Sequence, residues 1–134
     1  MVRDNCLCLH VRRAARAVAR RFDEAFRALD LTNGQFSLLM SLNRPEPPTM
    51  GSVADLLAMD RTTLTANLKP LERRGLLKIA PDEKDKRSRR LLLTDDGRAM
   101  LKQAFPIWKA EHAELEKLLG GDADALRRGL LSLS

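Results

Sequence analysis

At 134 residues the chain has room for one domain with a modest core but not for two. Its formal net charge of +6 and pI near 9.9 raise the expectation of a polyanionic partner, nucleic acid or an anionic membrane surface. With 4% aromatics and no Tyr it lacks the stacking platform of single-stranded binders, and no apolar run approaches the roughly 20 residues that span a bilayer.

The chain reads as mostly helix. Its first stretch, HVRRAARAVARRF, has the Arg-rich composition of a transit peptide or a membrane-surface helix, but its pattern points elsewhere. Cys8, Val11, Ala15, Val18, Phe22, Phe26 and Leu29 fall three and four residues apart and form one apolar stripe that runs on into the rest of the fold. Thr32, three residues before Gln35, has capping-box spacing and opens a second helix carrying Phe36, Leu39, Met40 and Leu42. PEPP at 45–48 is a rigid loop, after which Thr49 opens a short helix whose inner side is Val53, Leu56 and Leu57. A turn at Ala58 and Met59 leads to Asp60, an N-cap for RTTLTANLKPLERR, and Gly75 stops that helix.

Two helices of this size joined by a short turn are a helix-turn-helix. In the second of them Leu64, Leu68 and Leu71 face the core, and at about 100° per residue the opposite face carries Thr62, Ala66, Lys69 and Arg73, with Thr65 on its flank. That face is small, hydroxylated and basic, with no acid, as close approach to a phosphate-lined groove requires. Pro70 removes the donor for the Ala66 carbonyl and is expected to kink the helix.

Two short apolar runs follow, LLKIA at 76–80 and LLL at 91–93, and between them stand Lys84, Lys86, Arg87, Arg89 and Arg90 with turn chemistry from Pro81, Asp82 and Ser88; Leu76–Ala80 and Arg90–Thr94 are each the length of a short strand. The expectation is a two-stranded ribbon with a basic tip too charged to be core. Thr94 caps a long helix with a heptad-like seam at Leu101, Phe105, Trp108, His112, Leu115 and Leu119, bent at Pro106 and broken at Gly120 and Gly121. DADALRRGLLSL forms a last short helix.

Helix-turn-helix, strand, basic loop and strand in this order make a winged helix. MDRTTLTANLKPLERRGLL resembles the recognition-helix region of the multiple-antibiotic-resistance regulator (MarR) family. PDEKDKRSRRLLLTDDGRAML resembles its wing, with Asp85-x-Arg87 and the closing Leu-Thr-x-x-Gly at 93–97, and LDLTNGQFSLLMSL resembles its second helix. The resemblance covers nearly the whole chain. It implies a mainly α fold with a two-stranded wing in a single domain: about 32–98 as the DNA-binding core, about 1–30 and 100–134 as dimerisation helices. It also implies a homodimeric transcriptional regulator, a repressor on a pseudo-palindromic duplex. Independently, the cysteine usage makes the cytoplasm the default compartment, and with no Cys-x-x-Cys, Ser-His-Asp spacing or phosphate loop no catalytic centre, metal or cofactor is expected. The DNA-facing set is then Arg61, Thr62, Thr63, Thr65, Ala66, Lys69 and Arg73 on the recognition helix. On the wing it is Lys84, Asp85, Lys86, Arg87 and Ser88, with Arg87 entering the minor groove and Asp85 steadying it. Ala66 stands where the family often has Arg, so the sequence preference of relatives does not transfer. A winged helix that binds protein or structured RNA is the alternative.

Two cysteines two positions apart give no disulfide framework. The hydroperoxide-sensing branch of the family opens its first helix with Asp-Asn-x-x-Cys, and Asp4, Asn5 and Cys8 match it, yet the tyrosines that hold the thiol there are absent. Arg12 or Arg16 would have to supply the positive charge that activates a thiolate; otherwise Cys8 is an inert packed residue. Cys6 and His10 are too few ligands for a structural metal site. The resemblance also places an effector pocket for an apolar or aromatic molecule near Phe36, Met40 and Trp108.

Overall fold

The computed structural model describes residues 1–134 as seven helices and one antiparallel hairpin. The N-terminal arm is α1 (Val2–Asn5), α2 (Leu7–Ala25) and a 3-10 turn (Arg27–Leu29). A central unit follows: α3 (Asn33–Ser41), α4 (Met50–Leu56), α5 (Arg61–Arg73), β1 (Leu77–Pro81) and β2 (Arg89–Leu93). The chain closes with α6 (Asp95–Leu118) and α7 (Ala123–Leu133).

Each central helix starts where a side chain satisfies an otherwise unpaired first-turn N–H. Thr32 and Gln35 make the full capping box, Thr32 Oγ1 accepting from Gln35 N–H at 3.1 Å and Gln35 Oε1 from Thr32 N–H at 3.0 Å. Thr49 caps α4 through Ser52 N–H (3.1 Å), Asp60 caps α5 through Thr63 N–H (2.8 Å), and Thr94 caps α6 through Gly97 N–H (3.0 Å). Asp95 and Asp96 add negative charge at the positive end of the α6 dipole. Gly75, at φ 73°, takes the left-handed conformation that ends α5, with Leu76 N–H reaching back to the Leu71 carbonyl at 3.0 Å.

That cap and the next helix start explain why the first strand runs one residue later than Leu76–Ala80, and the second one residue earlier than Arg90–Thr94. Leu76 belongs to the helix stop and Thr94 to the next helix start, so the paired register is Leu77 with Leu93 through Pro81 with Arg89. Pro81, which has no N–H, lies at the end of its strand, where a missing donor costs least. Gly97 meets a different demand, because a Cβ there would lie 2.1 Å from the Leu76 carbonyl oxygen and 2.7 Å from Leu93 Cδ1. The glycine of the Leu-Thr-x-x-Gly motif is where α6 crosses the base of the wing.

One core joins these parts. Phe26 from the arm, Leu38 and Leu39 from α3, Val53 from α4, Leu64, Leu68 and Leu71 from α5, and Leu77 and Leu91 from the hairpin are all fully buried. Full burial of a leucine is worth roughly 1.5–3 kcal/mol over exposure, which holds α5 by one face and leaves the other open. The inner side of α4 differs from its sequence reading. Val53 and Ala54 are buried and Leu57 is half-buried, whereas Leu56 is 61% exposed. At about 100° per residue the middle of the Val53–Ala54 face lies close to Leu57 and far from Leu56.

The arms behave differently. Of the stripe on α2, only its C-terminal end enters the core: Phe26 is buried, Phe22 and Leu29 are half-buried, and Cys8, Val11, Ala15 and Val18 are exposed. On α6 the inward line is Leu101, Ala104 and Trp108, while Phe105 and Leu119 remain open. Arg21 on α2 and Glu111 on α6 pair at 2.7 Å. Pro70 and Pro106 both lie within continuous helices. No helix is long and apolar enough to cross a membrane.

Candidate nucleic-acid interface

Because α5 is anchored by Leu64, Leu68 and Leu71, its remaining residues are presented outward. Arg61, Thr62, Thr63, Thr65, Ala66, Lys69 and Arg73 are all exposed. Their hydroxyls are not equivalent. Thr63 Oγ1 donates to the capping Asp60 carboxylate at 2.9 Å, and Thr65 Oγ1 donates to the Arg61 carbonyl at 2.8 Å. The Thr62 hydroxyl makes no bond within the chain, so among the three it is the one with a proton to give an outside acceptor. Arg61 lies back over α4, where a Cβ on Gly51 would sit 2.9 Å from its Nη2. The glycine gives the guanidinium room beside the first turn of the recognition helix.

The wing tip is a closed loop of main-chain bonds. Asp82 N–H reaches the Ser88 carbonyl (3.0 Å), Ser88 N–H the Asp85 carbonyl (2.9 Å), and Asp82 Oδ1 accepts from Lys84 N–H at 3.2 Å. The Lys84 bond, with Arg90 beside it, holds the Asp82 carboxyl below its usual range. Asp85 accepts from the backbone N–H of Arg87 at 3.0 Å. The aspartate thus holds the arginine's main chain and leaves its guanidinium free of any partner in the chain. Lys84, Lys86, Arg87 and Arg89 are exposed without a carboxylate partner, as are Arg61, Lys69 and Arg73 on α5. Ser88 is half-buried at the neck of the tip.

Two basic residues of this region do other work, which pattern reading did not separate from their neighbours. Arg90 is half-buried, donating to the Pro47 carbonyl at 2.8 Å and to Asp82 Oδ2 at 3.4 Å. With Leu91 N–H bonded to the Pro48 carbonyl (3.0 Å), it ties the wing to the Pro-rich loop ahead of α4. Arg74, beside the outward Arg73, turns back to the carbonyls of Asp30 (2.6 Å) and Leu29 (3.3 Å). Nothing in the sequence distinguishes these arginines from the ones beside them, since their nearer acceptors are main-chain oxygens distant in the chain.

Phe36, Met40 and Trp108 do meet around a cavity of about 370 Å³, with Ser37, Ser41, Leu56 and Phe105. Trp108 stacks on Phe105 and on His112, with ring centroids 5.9 and 4.7 Å apart, and His112 Nδ1 lies 3.3 Å from Glu116. Cys8 is exposed, and neither Arg12 nor Arg16 bonds to it. It is Cys6 that holds a structural position, as the N-cap of α2 with its sulfur 3.5 Å from Leu9 N–H. His10 Nδ1 is engaged by the Cys6 carbonyl at 2.7 Å, which removes that nitrogen from any shared site with the Cys6 thiol.

Comparison with known proteins places this geometry. A family model described as "MarR family" matches residues 29–88, the segment from the arm's corner to the wing. The organic hydroperoxide resistance transcriptional regulator of Bacillus subtilis is 30% identical over 130 residues, covering 97% of this chain and 88% of its own length. The M. tuberculosis transcriptional regulator MosR, solved in complex with DNA, superposes with a TM-score of 0.87 at 38% identity over 96% of this chain and 93% of its own. The transcriptional repressor CouR, solved on a 23-mer DNA duplex, superposes with a TM-score of 0.86 at 33% identity, over 98% of this chain and 94% of its own.

Proposed function

From the premise that the chain belongs to the MarR family of transcriptional regulators, we propose that it is a cytoplasmic homodimeric repressor of a pseudo-palindromic DNA site. The observation that carries this reading is the company of unpaired cations. Lys69 and Arg73 on the open face of α5, Arg61 at its first turn, and Lys84, Lys86 and Arg87 on the wing have no carboxylate partner, while Arg90 nearby is neutralised by Asp82. Cations left unpaired on one surface suit a phosphate backbone, with the small residues between them allowing close approach. Residues 32–98 act as the DNA-binding core, and the terminal helices pair two copies. Two-fold symmetry then asks for half-sites about one helical turn, roughly 10 base pairs, apart.

Release from DNA has two candidate triggers. One is an apolar or aromatic effector in the cavity at Phe36, Met40 and Trp108; CouR has also been solved bound to p-coumaroyl-CoA. The other is thiol oxidation, which the hydroperoxide-resistance relative and the Asp-Asn-x-x-Cys spacing support. The test is duplex binding by wild type, Cys6→Ser and Cys8→Ser with and without a modest excess of organic hydroperoxide. Release in wild type and Cys6→Ser but not in Cys8→Ser assigns the trigger to Cys8. Unchanged binding in treated wild type leaves the cavity. DNA binding itself is read by anisotropy between about 50 and 200 mM salt, where a steep loss of affinity is expected and a flat response refutes a phosphate-binding surface.

A further inference from the structure

The cations of α5 and its cap divide by what they touch. The side chains of Arg61, Lys69 and Arg73 make no hydrogen bond within the chain, but Arg74 makes two, Nη1 to the Asp30 carbonyl at 2.6 Å and Nη2 to the Leu29 carbonyl at 3.3 Å. Leu29 ends the 3-10 turn that closes the arm, and Asp30 follows in the left-handed conformation at φ 51°. Carbonyls at such an end lack partners inside their own helical segment, and a cation there is favoured by both hydrogen bonding and the helix dipole. One guanidinium therefore joins the end of α5 to the end of the N-terminal arm, across 44 and 45 positions of sequence.

We propose that Arg74 is a positioning residue for DNA recognition: it fixes the angle of α5 against the arm, and so the separation of the two recognition helices in the dimer. The inference rests on the dimeric, two-half-site reading above. The fold does not depend on this tie. Leu64, Leu68, Leu71 and Phe26 already hold α5 and the arm in one core, and Arg74 itself is exposed. Apolar contacts are non-directional and permit small rotations, whereas two hydrogen bonds from a planar fork to adjacent carbonyls set an orientation. A change of angle at this corner moves both helices at once by symmetry. It leaves each helix as able as before to fit a single half-site.

The experiment uses the full chain and a two-fold duplex enriched by the wild-type protein from a random pool. Three derivatives accompany it: one with a half-site scrambled, one with a base pair inserted at the centre and one with a base pair removed. Arg74→Gln is expected to lose about tenfold in affinity for the intact duplex, as when charge-assisted bonds that select one geometry are removed. Its half-site affinity should stay within about twofold of wild type, and its penalty for the altered spacings should shrink, because only the shared geometry is lost. Arg74→Lys, which keeps the charge without the fork, should fall between the two. Equal losses on intact and half-site duplexes, in either variant, would make Arg74 a prop of the local fold and overturn the proposal, as would wild-type spacing preference in Arg74→Gln. A wild-type protein that enriches no two-fold duplex overturns the dimeric reading and this inference with it; that failure shows in the wild-type arm alone.

Discussion

The recognition helix and the terminal arms are all amphipathic helices, yet only the recognition helix has its apolar face covered within a single chain. α5 buries Leu64, Leu68 and Leu71 completely, while α2, six residues longer, buries nothing along its length. α7 buries Ala123 alone and leaves Leu126, Leu130, Leu131 and Leu133 open. An apolar stripe of that length facing water implies a surface awaiting its complement, whereas the open face of α5 is polar and needs only a ligand. The contrast separates what the chain does for itself from what it does as a pair.

The sharpest way to break that contrast is to cut into both halves. Leu68→Ala should remove about 2–5 kcal/mol of stability by leaving a cavity in the completed core, and thermal melts should show the same loss at every protein concentration. Leu130→Glu should leave the core's melting behaviour intact in dilute solution but raise the dimer dissociation constant by about 100-fold or more, as for an interface hot spot. Sedimentation would show the mass falling from two chains to one. A Leu130→Glu protein that remains a dimer would move the interface elsewhere.

A smaller effect separates the two cation groups on the wing. Arg87→Ala should cost roughly 1–3 kcal/mol of binding and relax any preference for A·T pairs beside the wing. Lys84→Ala should weaken binding on all sequences alike and reduce the salt slope by about 0.9. Identical behaviour of the two on A·T-rich and G·C-rich flanks would reduce Arg87 to another phosphate contact.

The smallest effect is in pH. Hydrogen bonds from Thr63, the backbone one foremost, hold the Asp60 carboxyl below its ordinary 3.8, and Asn33 does the same for Asp23. A carboxyl whose folded pKa is depressed adds stability that is complete above its unfolded value and disappears as pH falls through the folded one. Stability should therefore decline as pH drops below about 3.8 and onward, and Asp60→Ala should flatten part of that decline. An unchanged acid limb in Asp60→Ala would show that the α5 cap does not titrate with folding.

Local rules made much of this molecule legible before its structure. Thr32, Thr49, Asp60 and Thr94 cap helices because a short polar side chain answers the N–H three residues ahead, an interaction contained in four residues of sequence. The leucines of α5 and the basic tip follow from period and charge in the same way, so the winged helix and its outward cations could be read directly. What pattern could not decide is which member of a run turns inward. Arg74 differs from Arg73 only through the carbonyls of residues 29 and 30, and Arg90 from Arg89 through the carbonyl of residue 47 and the Asp82 carboxylate, all brought near by folding. Likewise Leu56 lost its place in the core to Ala54 because a helix of seven residues is oriented by its neighbours rather than by its own apolar content. Sequence determined the elements, their ends and the charge of the surface, since those depend on near neighbours. Tertiary structure alone decided which arginines hold the frame and which are left free, because a backbone oxygen has no side chain to announce it.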